Sequence, residues 1–340
     1  MPQALNSVKN KRVEYVDTMR GVCILLVNYF HSSISLFMIK YVADICVHPF
    51  LFLAGYFYSR KLSVKENAIK KARSMLVPYY AFGLVYYVIW AVAMYSTGKD
   101  IIYPLIAVLY MPTGFFPIES ALYFLPMMFF SVMLFTLIEK GTHCEVLRAV
   151  IVLGLTVLGN LWCHISYIRL PMSIDVSMSL LIYVYLGYHG RTILGFMDRF
   201  LEKIGSRAVK ILLFILAAAA NYYLIDICPL SNIRNAEWGL IPMTHLNTCV
   251  TMLLWVYFFR WFDTLRSMKP VSRALQYIGK NSMIFMCFSH IGLRIGEFVA
   301  YRLPLPAFGC KLIHYALSII VILPVVFVFN RTKLHLIFGK

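Results

Sequence analysis

Arg20 and His31 stand eleven residues apart in the stretch Asp17-Thr18-Met19-Arg20-Gly21-Val22-Cys23-Ile24-Leu25-Leu26-Val27-Asn28-Tyr29-Phe30-His31. On a helix of about 100° per residue the two side chains lie roughly 20° apart and share one face. A rise of about 1.5 Å per residue puts His31 about 16 Å beyond Arg20. Asp17 falls about 40° from His31 on the same side, one turn before Arg20. A guanidinium grips phosphate through paired charge-assisted hydrogen bonds. A neutral imidazole serves as a general base because its pKa lies close to working pH. A molecule phosphorylated at one end and reactive at the other, such as coenzyme A carrying an acyl thioester, would engage both groups. In the plainer reading Arg20 snorkels to lipid headgroups and His31 hydrogen-bonds a neighbouring helix. On residue chemistry alone the two readings stand even.

The elements that must position these groups are apolar helices. The chain has 340 residues, 61% of them hydrophobic and 14% charged, with a mean hydropathy of +0.74. Soluble domains run about 45–50% apolar and 25% charged, which excludes a water-soluble enzyme, a coiled coil and a disordered tail. Apolar runs long enough to cross a bilayer occur at 18–38, 41–58, 75–96, 121–138, 149–165, 173–189, 211–226, 240–259, 276–298 and 311–330. The fold class read from them is all-α: a polytopic integral membrane protein of ten transmembrane helices with both termini cytoplasmic. The segment Ile101–Met111 carries Pro104, meets Pro112 and is too short to span, so it reads as a re-entrant or interfacial piece.

The net charge of +17 raises the question of nucleic acid. Position answers it: with the N-terminus inside, 25 of the 32 Lys and Arg residues fall on the cytoplasmic side and seven outside. That asymmetry is the positive-inside rule, and it accounts for the charge without a nucleic acid. Of the eight cysteines, Cys23, Cys249 and Cys287 lie in apolar stretches and read as small buried thiols, while Cys228 and Cys310 lie in outer loops where a bridge is conceivable. No zinc-site spacing occurs, and His31, His48 and His290 lack the spacing of a metal set, so no metal is expected. The first seventeen residues are polar and lead directly into a span, so no cleavable signal peptide is expected.

The segment from Val13 to His31 resembles the opening of the membrane acyltransferase-three family, whose mark is an Arg, ten residues and a His in the first span. The resemblance continues in order: Pro49-Phe-Leu-Phe-Leu-Ala-Gly55, the basic loop Lys70-Lys71-Ala-Arg73 leading to Pro78, Leu122-Tyr-Phe-Leu-Pro126, Leu170-Pro171 with Asp175 and Gly187, and Ile278-Gly-Lys-Asn281-Ser282 followed by His290. It covers about residues 12–295 and is nearest to the fucose 4-O-acetylase-like subgroup. The sequence departs from the family at Lys70, where Arg is usual, and at Tyr123, where Trp is usual. An extracellular hydrolase-like domain, which some relatives carry, is not expected after the last span.

The resemblance implies an O-acyltransferase that moves an acetyl group from cytoplasmic acetyl-CoA to a sugar hydroxyl of a surface polysaccharide or its lipid-linked precursor. Its place is the bacterial cytoplasmic membrane, with glycan-assembly proteins as further partners. One transmembrane acyltransferase domain fills residues 1–335, with 1–16 a cytoplasmic arm and 336–340 a tail. His31 would deprotonate the acceptor or carry the acyl group transiently. Arg20 would contact the coenzyme's phosphates or couple structurally to Asp17; Lys70, Lys71 and Arg73 would add phosphate contacts or simply orient the chain. His290, inside the ninth span, is the second polar site group. His48, Glu119, Asp175 and Asn281 are substrate-side candidates, each with a plainer account as a helix cap or helix–helix bond. The competing classes are a transporter or flippase lined by the same residues, and an inactive member serving as an interaction subunit.

Overall fold

The computed structural model describes residues 13–32, 36–110, 118, 120–166, 168–228, 232–234, 237 and 239–339, and it is almost entirely helical. In chain order the α-helices are α1 (Glu14–Ser32), α2 (Leu36–Cys46), α3 (His48–Tyr56), α4 (Val64–Lys71), α5 (Val77–Met94), α6 (Ile102–Leu109), α7 (Phe124–Gly141), α8 (Glu145–Ile165) and α9 (Ile174–Ser179). There follow α10 (Leu181–Tyr188), α11 (Gly190–Lys203), α12 (Arg207–Ile227), α13 (Met243–Phe262), α14 (Lys269–Lys280), α15 (Ser282–Ala300), α16 (Ala307–Ile320) and α17 (Ile322–Arg331). The sheet content of the described residues is one isolated bridge between Asn232 and Glu237.

Six helical stretches among the described residues are long and apolar enough to cross a membrane: Val64–Met94, Ala121–Gly141, Glu145–Ile165, Arg207–Ile227, Ser282–Ala300 and Ala307–Arg331. Several present large apolar side chains outward, such as Val88 and Val92 on α5, Val157 on α8 and Ile215 on α12. In water such faces would cost free energy; facing acyl chains they cost none. The protein is therefore a multi-pass helical membrane protein.

The other expected spans fall on helices that are shorter, broken or more polar. The first, expected over 18–38, is helical over Glu14–Ser32, with residues 33–35 outside the described residues; the Ser32 hydroxyl donates to the Tyr29 carbonyl at 2.8 Å. His31 lies in the last turn of that described helix. The second breaks at Val47 because Pro49, with no N–H to give, opens a new helix as α3. The sixth divides at Leu180 into α9 and α10. The ninth breaks at Asn281, whose carboxamide donates to the Tyr277 carbonyl at 2.9 Å and accepts from Asn330 at 3.0 Å. Its first part, α14, is amphipathic and places Lys269, Arg273 and Lys280 on a helix that buries Ser272 and Gly279, as an interfacial helix does.

The stretch Val64–Met94 opens on a capping box in which Ser63 and Glu66 each bond the other's backbone N–H. It passes through a π turn at Ala72–Leu76 immediately before Pro78, which cannot donate to the preceding turn.

Helix α1 packs against α2, α13, α14, α15 and α16. Its crossing with α14 needs small residues: a Cβ on Gly21 would strike the Leu275 carbonyl oxygen, and one on Gly279 the Asp17 carbonyl oxygen. Both helices therefore touch backbone to backbone, which fixes the N-terminal end of α1 and, through it, the direction of the Arg20–His31 face. The bridge considered for Cys228 and Cys310 is not formed: both are free, buried thiols.

Candidate active site

His31 lies in the last turn of α1, where its exposed ring opens onto a cavity of about 280 Å³. The polar wall is His31, Tyr123, Asn232 and Arg234; Val27, Phe30, Phe124 and Met286 supply much of the apolar remainder. Phe30 stands edge-on to the imidazole at 5.2 Å. The His290 ring, from α15, lies 4.6 Å from the His31 ring at an interplanar angle of 55°. Arg234 is within electrostatic reach of both His31 and Tyr123. Among the described residues of this cavity's wall there is no aspartate or glutamate. A neutral imidazole beside a cation, open to a pocket and backed by a second imidazole, can take a proton from a hydroxyl held there.

Toward the other end of α1, the Arg20 guanidinium sits over the Phe57 ring, 5.9 Å from its centroid. Lys71 lies within electrostatic reach of Arg20 and Lys70. Lys70 and Arg73 are exposed. The structure thus gathers a basic surface from α1, the end of α4 and the π turn, although Arg20 and Lys71 are separated by fifty-one residues. Arg20 is not among the residues lining the His31 cavity; Cys23 and Ile24, between them on α1, are buried.

Residues 13–331 match a family model described as an acyltransferase domain. The chain belongs to the membrane acyltransferase-three family. No curated protein and no solved structure matches it. Membership carries acyl transfer, and with it an acyl-CoA type of donor, in general terms.

The remaining candidates of this membrane acyltransferase separate by environment. Asp17 is buried at 2% exposure and lies fourteen residues before His31, about 21 Å along the helix; the structure does not bring them together. His48 is buried at the start of α3, its ring 4.7 Å from that of Tyr183. The Tyr183 hydroxyl and His245 Nδ1 are hydrogen-bonded at 2.7 Å, and His245 Nε2 lies 3.1 Å from the Asn160 carboxamide nitrogen. These four residues join α3, α10, α13 and α8 in a sealed polar chain.

Asp175, fully buried, accepts from Arg169 Nε at 2.6 Å and from the Val176 N–H at 2.9 Å, which makes it the partner of an arginine at the start of α9. Asn281 is committed to the joint of α14, α15 and α17. Glu119 lies outside the described residues. No group of three or more His, Cys, Asp or Glu capable of holding a metal occurs among the described residues.

Sequence reasoning passed over Tyr123 as a cavity residue and counted Arg234 only as an outer-loop charge. Their connection to His31 comes from long-range packing. Tyr123 did carry a signal, because it occupies the position of the family's usual Trp.

Proposed function

We propose that the protein is an O-acetyltransferase that moves an acetyl group from cytoplasmic acetyl-CoA to a sugar hydroxyl of a surface polysaccharide or its lipid-linked precursor, as in the fucose 4-O-acetylase-like subgroup. One observation carries this reading: the His31 imidazole faces a small-molecule cavity and His290, in a chain whose acyltransferase match runs over residues 13–331. The volume lies near the lower end of ligand pockets, about 300–1,000 Å³, and suits a single sugar ring. The donor's phosphates would be held by Arg20 and Lys71, with Lys70 and Arg73 beside them, about 16 Å from His31 along the helix.

In the transfer the thioester C–S bond breaks and an ester C–O bond forms. The acceptor's hydroxyl proton passes to His31, and the departing thiolate takes up a proton. If His31 carries the acyl group instead, a C–N bond forms and is then broken by the hydroxyl. His290, against the His31 ring, takes up or returns the proton in either course. The protein's contribution is positioning plus a base. Both termini and the basic loops face the cytoplasm in this reading, in a bacterial cytoplasmic membrane, with residues 1–335 acting as one domain and glycan-assembly proteins as partners.

Purified protein in detergent, given acetyl-CoA, is expected to release free thiol slowly, and faster once the saccharide acceptor is added. Deleting the protein from its cell is expected to remove one ester from the surface glycan. Transport of a labelled saccharide with no dependence on an acyl donor would contradict the reading and point to the transporter class.

A further inference from the structure

We propose that α14 is a docking surface for an anionic phospholipid, with its cationic stripe on the headgroup phosphate and its apolar outer side among the acyl chains. The His31 cavity is lined by other elements, so this surface acts whether or not that cavity carries out acyl transfer.

Three cations, Lys269, Arg273 and Lys280, lie on α14. At about 100° and 1.5 Å per residue they fall within about 40° of one another, in a stripe about 16 Å long. Arg273 and Lys280 are exposed, and Lys269 is half-buried. About 90° to one side of the stripe stand Ser272 and Gly279, both buried. On the other side Tyr277, Pro270, Ala274 and Val271 follow at about 60°, 80°, 120° and 180°, and all four are exposed. The helix thus has a packed side, a cationic side and an apolar outer side, with Tyr277 at the boundary between the last two.

The packed side belongs to α1, through the backbone contacts of Gly21 with Leu275 and of Gly279 with Asp17. The Ser272 hydroxyl donates to the Asp263 carboxylate at 2.6 Å, and Thr18 of α1 donates to the same oxygen at 3.0 Å. Asp263, the acid of the α13–α14 connection, is therefore turned to the packed side, and α14 carries no acid of its own.

The two remaining sides decide what fits. Val271 and Tyr277 are 49% and 43% exposed, which costs free energy in water and none among acyl chains. Cations along one edge, a tyrosine beside them and an apolar edge beyond are the order in which a membrane boundary sorts side chains. A soluble anion would answer the cations and leave Val271 in water. An apolar partner helix would cover Val271 and place hydrocarbon beside the cations. An anionic lipid answers both edges with one molecule.

The test counts lipids bound to delipidated full-length protein in detergent by native mass spectrometry. Dioleoyl-phosphatidylglycerol and dioleoyl-phosphatidylcholine serve as probes with identical acyl chains. The glycerol lipid is expected to be retained at least about tenfold more tightly. Arg273→Gln is expected to lower that preference about fivefold, and Lys269→Gln with Arg273→Gln to abolish it. Lys99→Gln, an exposed charge on a distant loop, is expected to leave it unchanged. Because α14 braces α1, the glycerol lipid should also raise the melting temperature of the wild type and not of the double variant. Unchanged melting temperatures without lipid show that the variants fold.

Equal retention of the two lipids, or a preference that survives the double substitution, overturns the proposal. Loss of the preference in Lys99→Gln as well would reduce it to net charge and overturns it too. Displacement of the bound lipid by millimolar inorganic phosphate or by coenzyme A would make the stripe a site for soluble phosphates, which also contradicts it. Retention of the lipid against both supports it.

Discussion

Two pairs of histidines lie inside this molecule, and their surroundings are opposite. His31 and His290 meet ring to ring, 4.6 Å apart, and His31 opens onto a cavity. His48 and His245 flank Tyr183 in a closed chain that ends on Asn160, and all four are buried. In the closed chain Tyr183, His245 and Asn160 are hydrogen-bonded in series and His48 packs its ring on Tyr183, so its product is cohesion among α3, α10, α13 and α8. In the open pair, protein surrounds the ring without sealing it, so a ligand has room to supply the next partner. A buried polar residue in a membrane protein is thus a site only where there is space beside it. Its cost alone does not say which kind it is.

The largest effect that tests this contrast belongs to the open pair. His31→Ala is expected to lower the turnover of acetyl-CoA by about 10²- to 10⁴-fold, the range of a lost general base, with unchanged membrane insertion. Steady-state thiol release checks it, and near-normal turnover would dissolve the distinction between the pairs. Next comes the basic surface at the other end of α1. Arg20→Ala is expected to raise the KM for acetyl-CoA by about ten- to a hundredfold, the loss of a charge-assisted bond. An unchanged donor dependence would instead make Arg20 a structural residue.

Smaller effects belong to the closed chain. Tyr183→Phe deprives His245 Nδ1 of its 2.7 Å partner and is expected to cost about 0.6–1.7 kcal/mol of stability. Turnover per folded molecule should stay at the wild-type level; a fall in turnover without a fall in melting temperature would move the chain into the catalytic machinery. The smallest effect is expected at the α14–α15 joint. Asn330→Ala removes the 3.0 Å bond to Asn281 and should cost about 0.6 kcal/mol with no change in substrate dependence. A change in acceptor KM would return Asn281 to the substrate side.

The parts legible in the sequence were those governed by local rules. The Arg20–His31 spacing specifies a shared face wherever the segment is helical, and the structure makes it helical from Glu14 to Ser32. The order of motifs from Val13 onward was enough for the family, whose match runs over residues 13–331. Helix breaks were harder, since hydropathy reads straight through Val47, Leu180 and Asn281, while the backbone responds to Pro49 and to side-chain bonds made by Asn281.

The cavity's composition was harder still. Arg234 comes to the cavity from a loop more than two hundred residues after His31, and His290 meets the His31 ring from another helix beyond it. Resemblance put His290 among the candidates, but only packing shows which histidine it faces. Asp17 shares the His31 side of α1, one turn from Arg20, and the helical rise keeps it about 21 Å from His31.

The most direct measurement compares thiol release from acetyl-CoA by His31→Ala and His245→Gln side by side, each normalised to the folded fraction. The account predicts that His31→Ala falls by about 10²- to 10⁴-fold while His245→Gln keeps wild-type turnover per folded molecule. Equal losses in the two variants, or a greater loss from His245→Gln, would contradict it.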